Sequence, residues 1–489
     1  MDVRTRFAPS PTGYMHIGNL RTALYSYLIA RKNNGKFILR IEDTDKNRYV
    51  DDAINVIYNT LNTAKLTYDE GPNKEGTVGP YIQSNRLDIY KKYAEELVKL
   101  GKAYYCFCPE AKTDLDTYKE ETNYTTGIGY NRHCRNLTQE EIAENLKNNI
   151  PYCIRQKIED DIIVEYEDTV YGKLTFNSST LDDQVLLKQD GYPTYNFANV
   201  IDDHLMEITH VVRGNEYLSS TPKYILLYKA FNWEIPVFIH LPLINGMDEN
   251  GNISKLSKRH GAVSFEELVK NGYLPEAILN YIAFLGWNSK TTQEIFLLKE
   301  LENVFEIKNI NKADALFDYK KLDWYNAHYV KQLTDEQFYE IGKTFLKEKA
   351  NLFNWKRTSL YIKEKITKFS DLLKELQFLI ILNEYNNSLF ENKKNKVSKE
   401  NVIPFIDYMM NILKSYPENS VITKTDYELI MRKYAEINNV KFGHPMWIFR
   451  IALSGQQNTI IGGLEIAEIL DVKEVKNRLN FVKEKFNEN

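Results

Sequence analysis

One uninterrupted run, Phe7-Ala8-Pro9-Ser10-Pro11-Thr12-Gly13-Tyr14-Met15-His16-Ile17-Gly18-Asn19, constrains this chain more than any other stretch. It follows a short strand-like start, Asp2 to Phe7, and leads straight into an amphipathic segment, Leu20 to Lys32. Two prolines and Gly13 predict a tight turn, and His16 and Gly18 then fall in the first turn of a helix. A helix N-terminus carries free backbone N–H groups and a partial positive charge, so it suits a phosphate. Glycine at position 18 lets a flat base or ribose approach where a side chain would clash. Far downstream stands Lys255-Leu256-Ser257-Lys258-Arg259, a second cationic loop without hydrophobic periodicity. Alone, these stretches read as a core histidine and a solvated basic loop.

Together the two stretches resemble the HIGH and KMSKS signatures of class I aminoacyl-tRNA synthetases. Arg6 to Gly13, then Arg40-Ile41-Glu42-Asp43-Thr44-Asp45, then Asp190-Gly191-Tyr192-Pro193-Thr194-Tyr195 resemble one branch, bacterial-type glutamyl-tRNA synthetase. The resemblance covers the whole chain, strongest to about Asn288, with Asn19 standing where the fourth HIGH position has His. It implies an α/β fold: a Rossmann-like doubly wound parallel sheet with an α+β insertion, followed by an all-α C-terminal anticodon-binding region. It also implies a glutamate–tRNA ligase, which uses ATP to convert L-glutamate to glutamyl-adenylate and passes it to the 3′-terminal adenosine of tRNA(Glu). Mg²⁺ is implied by the ATP chemistry and arrives with the nucleotide. The family implies a monomer.

The bulk composition is compatible with this. At 489 residues the chain holds roughly three domains of about 150 residues. Hydrophobic content of 43% and charged content of 27% are those of an ordinary globular protein. A net charge of −4 gives no global nucleic-acid signature, so a tRNA must be met by local basic patches. Four cysteines exclude a disulfide scaffold and point to a reducing compartment. No apolar run reaches the ~18 residues of a membrane span. The first strand begins too early to leave room for a targeting peptide, so the cytoplasm is expected.

Strand and helix alternate in the opening third: Phe37 to Ile41 reads as a buried strand, Ala53 to Lys65 and Leu87 to Leu100 as helices. Such alternation predicts a parallel sheet with its ligands at the carboxyl ends of the strands. From Ala103 to about Gln189 short strands, turns and one helical run (Gln139 to Lys147) read as an insertion. The sheet is expected to resume through Tyr195 and through Ile208 to Arg213, and the chain to turn helical after Leu268, with a junction at Trp324 to Val330. The expected domains are 1–105 (catalytic, first half), 106–190 (acceptor-end-binding insertion), 191–250 (catalytic, second half), 251–335 (stem contact, carrying the KMSKS-like loop) and 336–489 (anticodon-binding, divisible near 395).

A synthetase must bring a carboxylate into line with the α-phosphate of ATP and stabilise the departing pyrophosphate, a matter of positioning and electrostatics. The resemblance assigns ATP to His16, Gly18, Asn19, Glu216, Lys255, Ser257 and Lys258, with His16, Lys255 and Lys258 catalytic. For glutamate, Arg6 and Arg213 offer forked donors to a carboxylate, Glu42 an anion for the ammonium, Tyr195 and Asn199 neutral hydrogen bonds, and Ala8 and Ser10 backbone and hydroxyl contacts. The competing reading makes Arg40–Glu42 a simple ion pair and Tyr195 a core residue. Arg48 and Lys368 are the expected tRNA contacts.

Cys106-Phe107-Cys108 sits in a strand-like run, so both thiols share one face. Some members of the family and its short relatives bind zinc with Cys-x-Cys and a later cysteine, here Cys134. Where a histidine often completes the set this chain has Asn136, leaving Tyr130 or His133 as fourth ligand, or else three ordinary small apolar cysteines. Cys153 reads as a lone buried thiol.

Three rivals are weighed. A glutaminyl synthetase is expected to carry a β-rich C-terminal region, whereas this one reads helical. The short tRNA-modifying paralogue lacks a C-terminal helical domain altogether. A catalytically dead relative is not expected to keep His16, Lys258, Arg6 and Arg213. Anticodon reading is expected at Lys363 to Phe369 or at Ser454 to Thr459, against the alternative of a solvated lysine face. Members that discriminate between glutamate and glutamine anticodons use an arginine near Lys368. Lysine lacks the planar fork that reads a base edge, which implies relaxed discrimination.

Overall fold

The computed structural model describes residues 2–45, 50, 52–109, 130–261 and 263–487. Its strands are β1 Arg4–Phe7, β2 Lys36–Leu39, β3 Ala103–Cys106, β4 Cys153–Gln156, β5 Ile163–Asp168, β6 Gly172–Asn177, β7 Val185–Leu187, β8 His210–Gly214, β9 Val237–Leu241, β10 Ile244–Met247, β11 Ile253–Lys255 and β12 Ala315–Leu316. The first helices are α1 Ile17–Lys32, α2 Ala53–Thr63, α3 Leu87–Lys99, α4 Gln139–Lys147, α5 Tyr195–Leu205 and α6 Thr221–Ala230.

The main sheet has the order β2-β1-β8-β9-β5-β6. All its pairings are parallel except β5–β6 at the edge. From β1 the chain moves outward one way to β2, and from β8 the other way to β9. The strand order therefore reverses between β1 and β8, and a crevice opens beyond their carboxyl ends, where such sheets take ligands. The HIGH-like run leaves β1 at this point.

Helix α1 begins in the turn expected to hold His16 and Gly18, but it is not the amphipathic segment expected at Leu20 to Lys32. It starts at Ile17 and is buried at Ile17, Leu20, Arg21 and every position from Ala23 to Ala30. The reason lies far away in sequence. The Tyr25 hydroxyl donates to the carbonyls of Ala283 and Leu285, Tyr27 to Glu302, and Arg21 to the carbonyls of Leu285 and Pro242. The segment that includes the helix Leu298–Val304 thus covers the flank that sequence alone leaves facing water.

The insertion also differs from expectation. Strands β3, β4 and β7 form their own small sheet, and α4 matches the expected helical run, capped by a Thr138–Glu141 box. The β5–β6 hairpin, placed inside 106–190 by sequence, instead extends the main sheet. Strand β5 alternates exposed and buried, burying Val164, Tyr166 and Asp168, so its inner face joins the catalytic core. Tyr195 opens helix α5 rather than continuing a strand.

The chain divides into two compact units, Met1–Leu268 with Ile278–Tyr319, and Val269–Ala277 with Lys320–Asn489. The changeover at 319/320 falls at the first residue of the helix Tyr319–Gln332, ahead of the expected boundary at 335 and of the junction expected at Trp324 to Val330. The second unit is helical. Its last helix, Val472–Asn487, is tied in by buried Arg478, which donates to the carbonyls of Phe378, Leu379 and Leu453. The Lys- and Asn-rich stretch near 395 is a turn closed by an Asn392–Val397 bridge, inside that unit.

Candidate active site

The HIGH-like run turns at Gly13 (φ 113°) and delivers His16 as the N-cap of α1. The His16 ring Nδ1 accepts from the Gly18 N–H at 3.0 Å. That bond places the ring proton on Nε2, a donor on the side of the Leu256 carbonyl. Burial, reinforced by the nearby Lys255 charge, holds the imidazole below its usual pKa, against the upward pull of the Leu256 carbonyl. The ring is therefore a neutral hydrogen-bond donor at pH 7. Gly18 and Asn19 follow in the first turn, Asn19 exposed. A Cβ at Gly18 would meet only the His16 ring, at 3.3 Å from Nδ1, so its outer side is open.

The second cationic loop joins this helix start through the backbone. Ile17 N–H donates to Val263 O at 2.9 Å, and Phe265 N–H to Met15 O at 3.0 Å, pairing residues 15–17 antiparallel with 263–265. Glu266 reinforces the clasp by accepting from Met15 N–H at 3.1 Å. At the loop's other end β11 pairs with β10, and Leu256 N–H donates to Ile244 O at 2.9 Å. Lys255 ends β11 and is exposed, while Ser257 N–H donates to the His260 ring at 3.1 Å. The side chain of Lys258 and the whole of Arg48 lie outside the described residues.

Beyond β1 and β8 lies the predicted amino-acid pocket. Arg6 forks onto Asp203, with Nε–Oδ1 at 3.0 Å and Nη2–Oδ2 at 3.3 Å, and its Nη1 donates to Val212 O at 3.2 Å. Arg40 donates to Glu42 Oε1 at 2.9 Å and to Asp203 Oδ1 at 2.8 Å. All four are buried. Two cations and two carboxylates thus neutralise one another. Burial would raise the Asp203 pKa, but Arg6 and Arg40 outweigh it and hold it below the usual range. For Glu42 burial wins and the pKa is raised. The Arg40–Glu42 ion pair exists, shared with Asp203, and by itself does not decide between a structural pair and a ligand for the ammonium.

Arg213 stands opposite and makes no ion pair among the described residues. Its Nε donates to His240 Nε2 at 3.2 Å and its Nη2 to Thr221 Oγ1 at 3.1 Å, with the Tyr224 ring centred 4.6 Å from the guanidinium carbon. Tyr195 packs on Tyr217 at 5.4 Å, and burial, then Glu42, push its hydroxyl well above the usual pKa. Asn199, one helical turn on, donates to Tyr195 O at 2.9 Å. Ala8 follows β1 half-buried and Ser10 is exposed. Glu216 folds back over Gly214, where a Cβ would meet its carboxylate. Sequence reasoning missed Asp203, Thr221, His240 and Asp168. Asp203 carries a recognisable signal, a carboxylate one turn beyond Asn199 on the same helix; the others carry none.

With this geometry in hand, the likeness to known proteins can be read. Residues 2–324 match the family described as tRNA synthetases class I (E and Q), catalytic domain, and residues 320–483 match an anticodon binding domain. A glutamate–tRNA ligase of Clostridium novyi is 48% identical, over 100% of this chain and 99% of its own length. One from Clostridium tetani is 47% identical over 99% and 98%. The chain belongs to the class I glutamyl-tRNA synthetase family. It is an aminoacyl-tRNA ligase. The synthetase fold is also that of a crystal structure of a glutamate tRNA ligase from Elizabethkingia meningosepticum in complex with its amino acid, with a TM-score of 0.86 at 33% identity, covering 99% of this chain and 100% of that one.

The synthetase also gathers its cysteines. The sulfurs of Cys106, Cys108 and Cys134 lie within 4.8 Å of one another, and the Tyr130 hydroxyl is 3.1 Å from Cys106 Sγ and 3.8 Å from Cys108 Sγ. Tetrahedral zinc with bonds of about 2.3 Å has ligand–ligand edges of about 3.8 Å, so this set fits a metal of that size. His133 is exposed and not part of the cluster. Cys153, read as a lone thiol, is the register partner of Cys106, and its thiol is the first cause holding Cys106 toward the thiolate. Arg155 lies over the Tyr130 ring at 3.8 Å.

In the synthetase's second unit, Lys368 is half-buried, 3.9 Å from Asp371 and 5.8 Å from the Tyr273 ring centre. Lys363 is held by Asp335 at 2.6 Å. In the 454–459 loop Gln457 turns inward to Leu389 O at 3.1 Å, while Gln456 and Asn458 are exposed.

Proposed function

We infer that this chain works as a glutamate–tRNA ligase: it joins L-glutamate to ATP as glutamyl-adenylate, releases pyrophosphate, and esterifies the terminal adenosine of tRNA(Glu). The observation that carries the reading is the clasp between residues 15–17 and 263–265, which brings the two cationic motifs to one crevice. In this reading His16 Nε2–H and the loop lysines Lys255 and Lys258 act on the phosphates, and Gly18, Asn19, Ser257 and Glu216 seat the nucleotide with its Mg²⁺. Arg6 and Arg213 grip the carboxylates of glutamate. Glu42 takes its ammonium, and Tyr195, Asn199, Ala8 and Ser10 complete the pocket. Arg6 keeps two of its five donors for this purpose. Cys106, Cys108, Cys134 and Tyr130 hold a structural zinc remote from the chemistry, which orders the inserted sheet. Arg48 and Lys368 touch the tRNA, and lysine at 368 leaves glutamate and glutamine anticodons poorly distinguished. The enzyme is a cytoplasmic monomer; among the described residues no helix is long and apolar enough to cross a membrane.

Pyrophosphate exchange with glutamate and with glutamine, with and without tRNA, tests the activation step, and exchange with glutamine alone would refute it. Charging of purified glutamate and glutamine tRNAs tests the anticodon reading. Zinc near one per chain, in protein purified without chelator, tests the metal.

A further inference from the structure

His240 and Arg213 are register partners on the parallel strands β9 and β8, so their side chains lie side by side on one face of the sheet. His240 is fully buried and Asp168 is 1% exposed. Asp168 arrives at the end of β5, on the hairpin that joins the main sheet. Its Oδ2 accepts from the His240 backbone N–H at 3.1 Å and from the ring Nδ1–H at 2.6 Å. Its Oδ1 accepts from the N–H groups of Val170 and Tyr171 at 2.9 and 2.8 Å. Four donors fix that carboxylate, and the carboxylate fixes the proton of His240 on Nδ1. Nε2 is left as a lone pair, and the Nε–H of Arg213 points into it.

The nature of this acceptor matters. A carboxylate in the same place would orient the guanidinium equally well and would cancel its charge, as Asp203 does for Arg6. Burial keeps the His240 imidazole below its usual pKa, outweighing the upward pull of Asp168, and the charge of Arg213 lowers it further. Arg213 is thereby held at Nε by a neutral ring and at Nη2 by the Thr221 hydroxyl, between the rings of Tyr217, Tyr224 and Phe238. Its Nη1 carries no hydrogen bond from the described residues.

We propose that His240, oriented by Asp168, is a positioning residue that aims the guanidinium of Arg213 at the substrate carboxylate while leaving its charge uncompensated. This rests on the reading of Arg213 as a glutamate ligand. The proposal makes the identity of the acceptor decisive: any replacement that keeps a neutral acceptor keeps function, and any that loses it, or turns a donor toward Arg213, loses glutamate affinity.

The test is pyrophosphate exchange on the full-length enzyme, reading KM for glutamate, KM for ATP and kcat separately, with melting temperature as the check on folding. His240→Phe keeps a ring but no acceptor, and glutamate KM should rise about 10- to 100-fold while ATP KM stays within a few-fold. His240→Gln restores an acceptor and should return glutamate KM to within a few-fold of wild type. Asp168→Asn turns an N–H toward Nδ1, so the imidazole must carry its proton on Nε2, facing Arg213. Glutamate KM should then rise as in His240→Phe, although Asp168 touches neither Arg213 nor substrate. In combination with Arg213→Ala, His240→Phe should add nothing further.

A folded His240→Phe enzyme with wild-type glutamate KM overturns the proposal, as does His240→Gln damaged as severely as His240→Phe. If His240→Phe does not fold, Asp168→Asn decides, and wild-type glutamate KM there overturns the proposal equally. Arg213→Ala separates the two levels. Unchanged glutamate KM in that variant removes the pocket reading itself. A large rise in it, with none in the His240 and Asp168 variants, removes only the positioning role.

Discussion

Two arginines flank the crevice, and the fold holds them in opposite ways. On the β1 side Arg6 sits in a network with Arg40, Glu42 and Asp203, continued through Asp202 to Arg86, where every buried charge has its opposite close by. On the β8 side Arg213 has a neutral imidazole, a hydroxyl and aromatic rings. The first arrangement makes a wall, because buried pairs are costly to break and add little net affinity when intact. The second leaves a cation with neutral partners. In the reading proposed above, one arginine is mainly architecture and the other mainly recognition, although the sequence offers them as equivalents.

The largest expected effect comes from breaking the wall. Asp203→Ala leaves the buried Arg6 without its carboxylate and takes one of Arg40's, and should cost about 3–5 kcal/mol in urea unfolding; a loss below about 1 kcal/mol would mean the charges are not coupled as described. A variant that touches neither side comes next. Lys258→Ala should lower kcat about 10²- to 10³-fold, as for other lost transition-state donors, with glutamate KM nearly unchanged. Unaltered kcat would remove the loop from the chemistry.

The contrast itself is sharpened by paired truncations. Arg6→Ala and Arg213→Ala should both raise glutamate KM, but Arg6→Ala should lose about 3 kcal/mol of stability and Arg213→Ala only about 1–2 kcal/mol, the cost of lost packing. Equal stability losses would dissolve the distinction.

The smallest effect concerns Glu42, whose pKa burial raises in the folded state. The folded protein then binds this proton more tightly than the unfolded chain does. Ionised Glu42 therefore costs stability at neutral pH, and that cost fades as pH falls through its folded-state value toward the ordinary carboxylate value of about 4.3. Glu42→Gln should melt a few degrees higher at pH 7 and lose that segment of the pH dependence, while glutamate KM rises. Asp203 has the opposite sign: its depressed pKa gives stability present above the ordinary carboxylate value and lost as pH falls through the folded one. A Glu42→Gln variant less stable than wild type would show that the carboxylate is structural.

The legible parts of this molecule are those written in consecutive residues. The turn and helix start at 13–18 follow from proline, glycine and histidine in order, and α4 from its capping threonine. The remainder depends on partners remote in sequence. Nothing near Tyr25 or Tyr27 announces that residues 283–305 will cover them, so a helix buried all round reads as amphipathic. Asp168 belongs to a hairpin whose short alternating strands look like the rest of the insertion, and only the β5–β9 pairing carries it to His240. Cys153 reads as solitary because its partner is across a strand register and not along the chain. The boundary at 319/320 is hidden because it falls at the first residue of a helix, where no proline or glycine marks a linker.

The all-round burial of α1 has a consequence for timing. A rod buried at every position from Ala23 to Ala30 cannot swing, so the N–H groups and the His16 ring at its start keep one orientation. In the reading proposed above, that start is aimed before a nucleotide arrives and needs no reorganisation when charge develops.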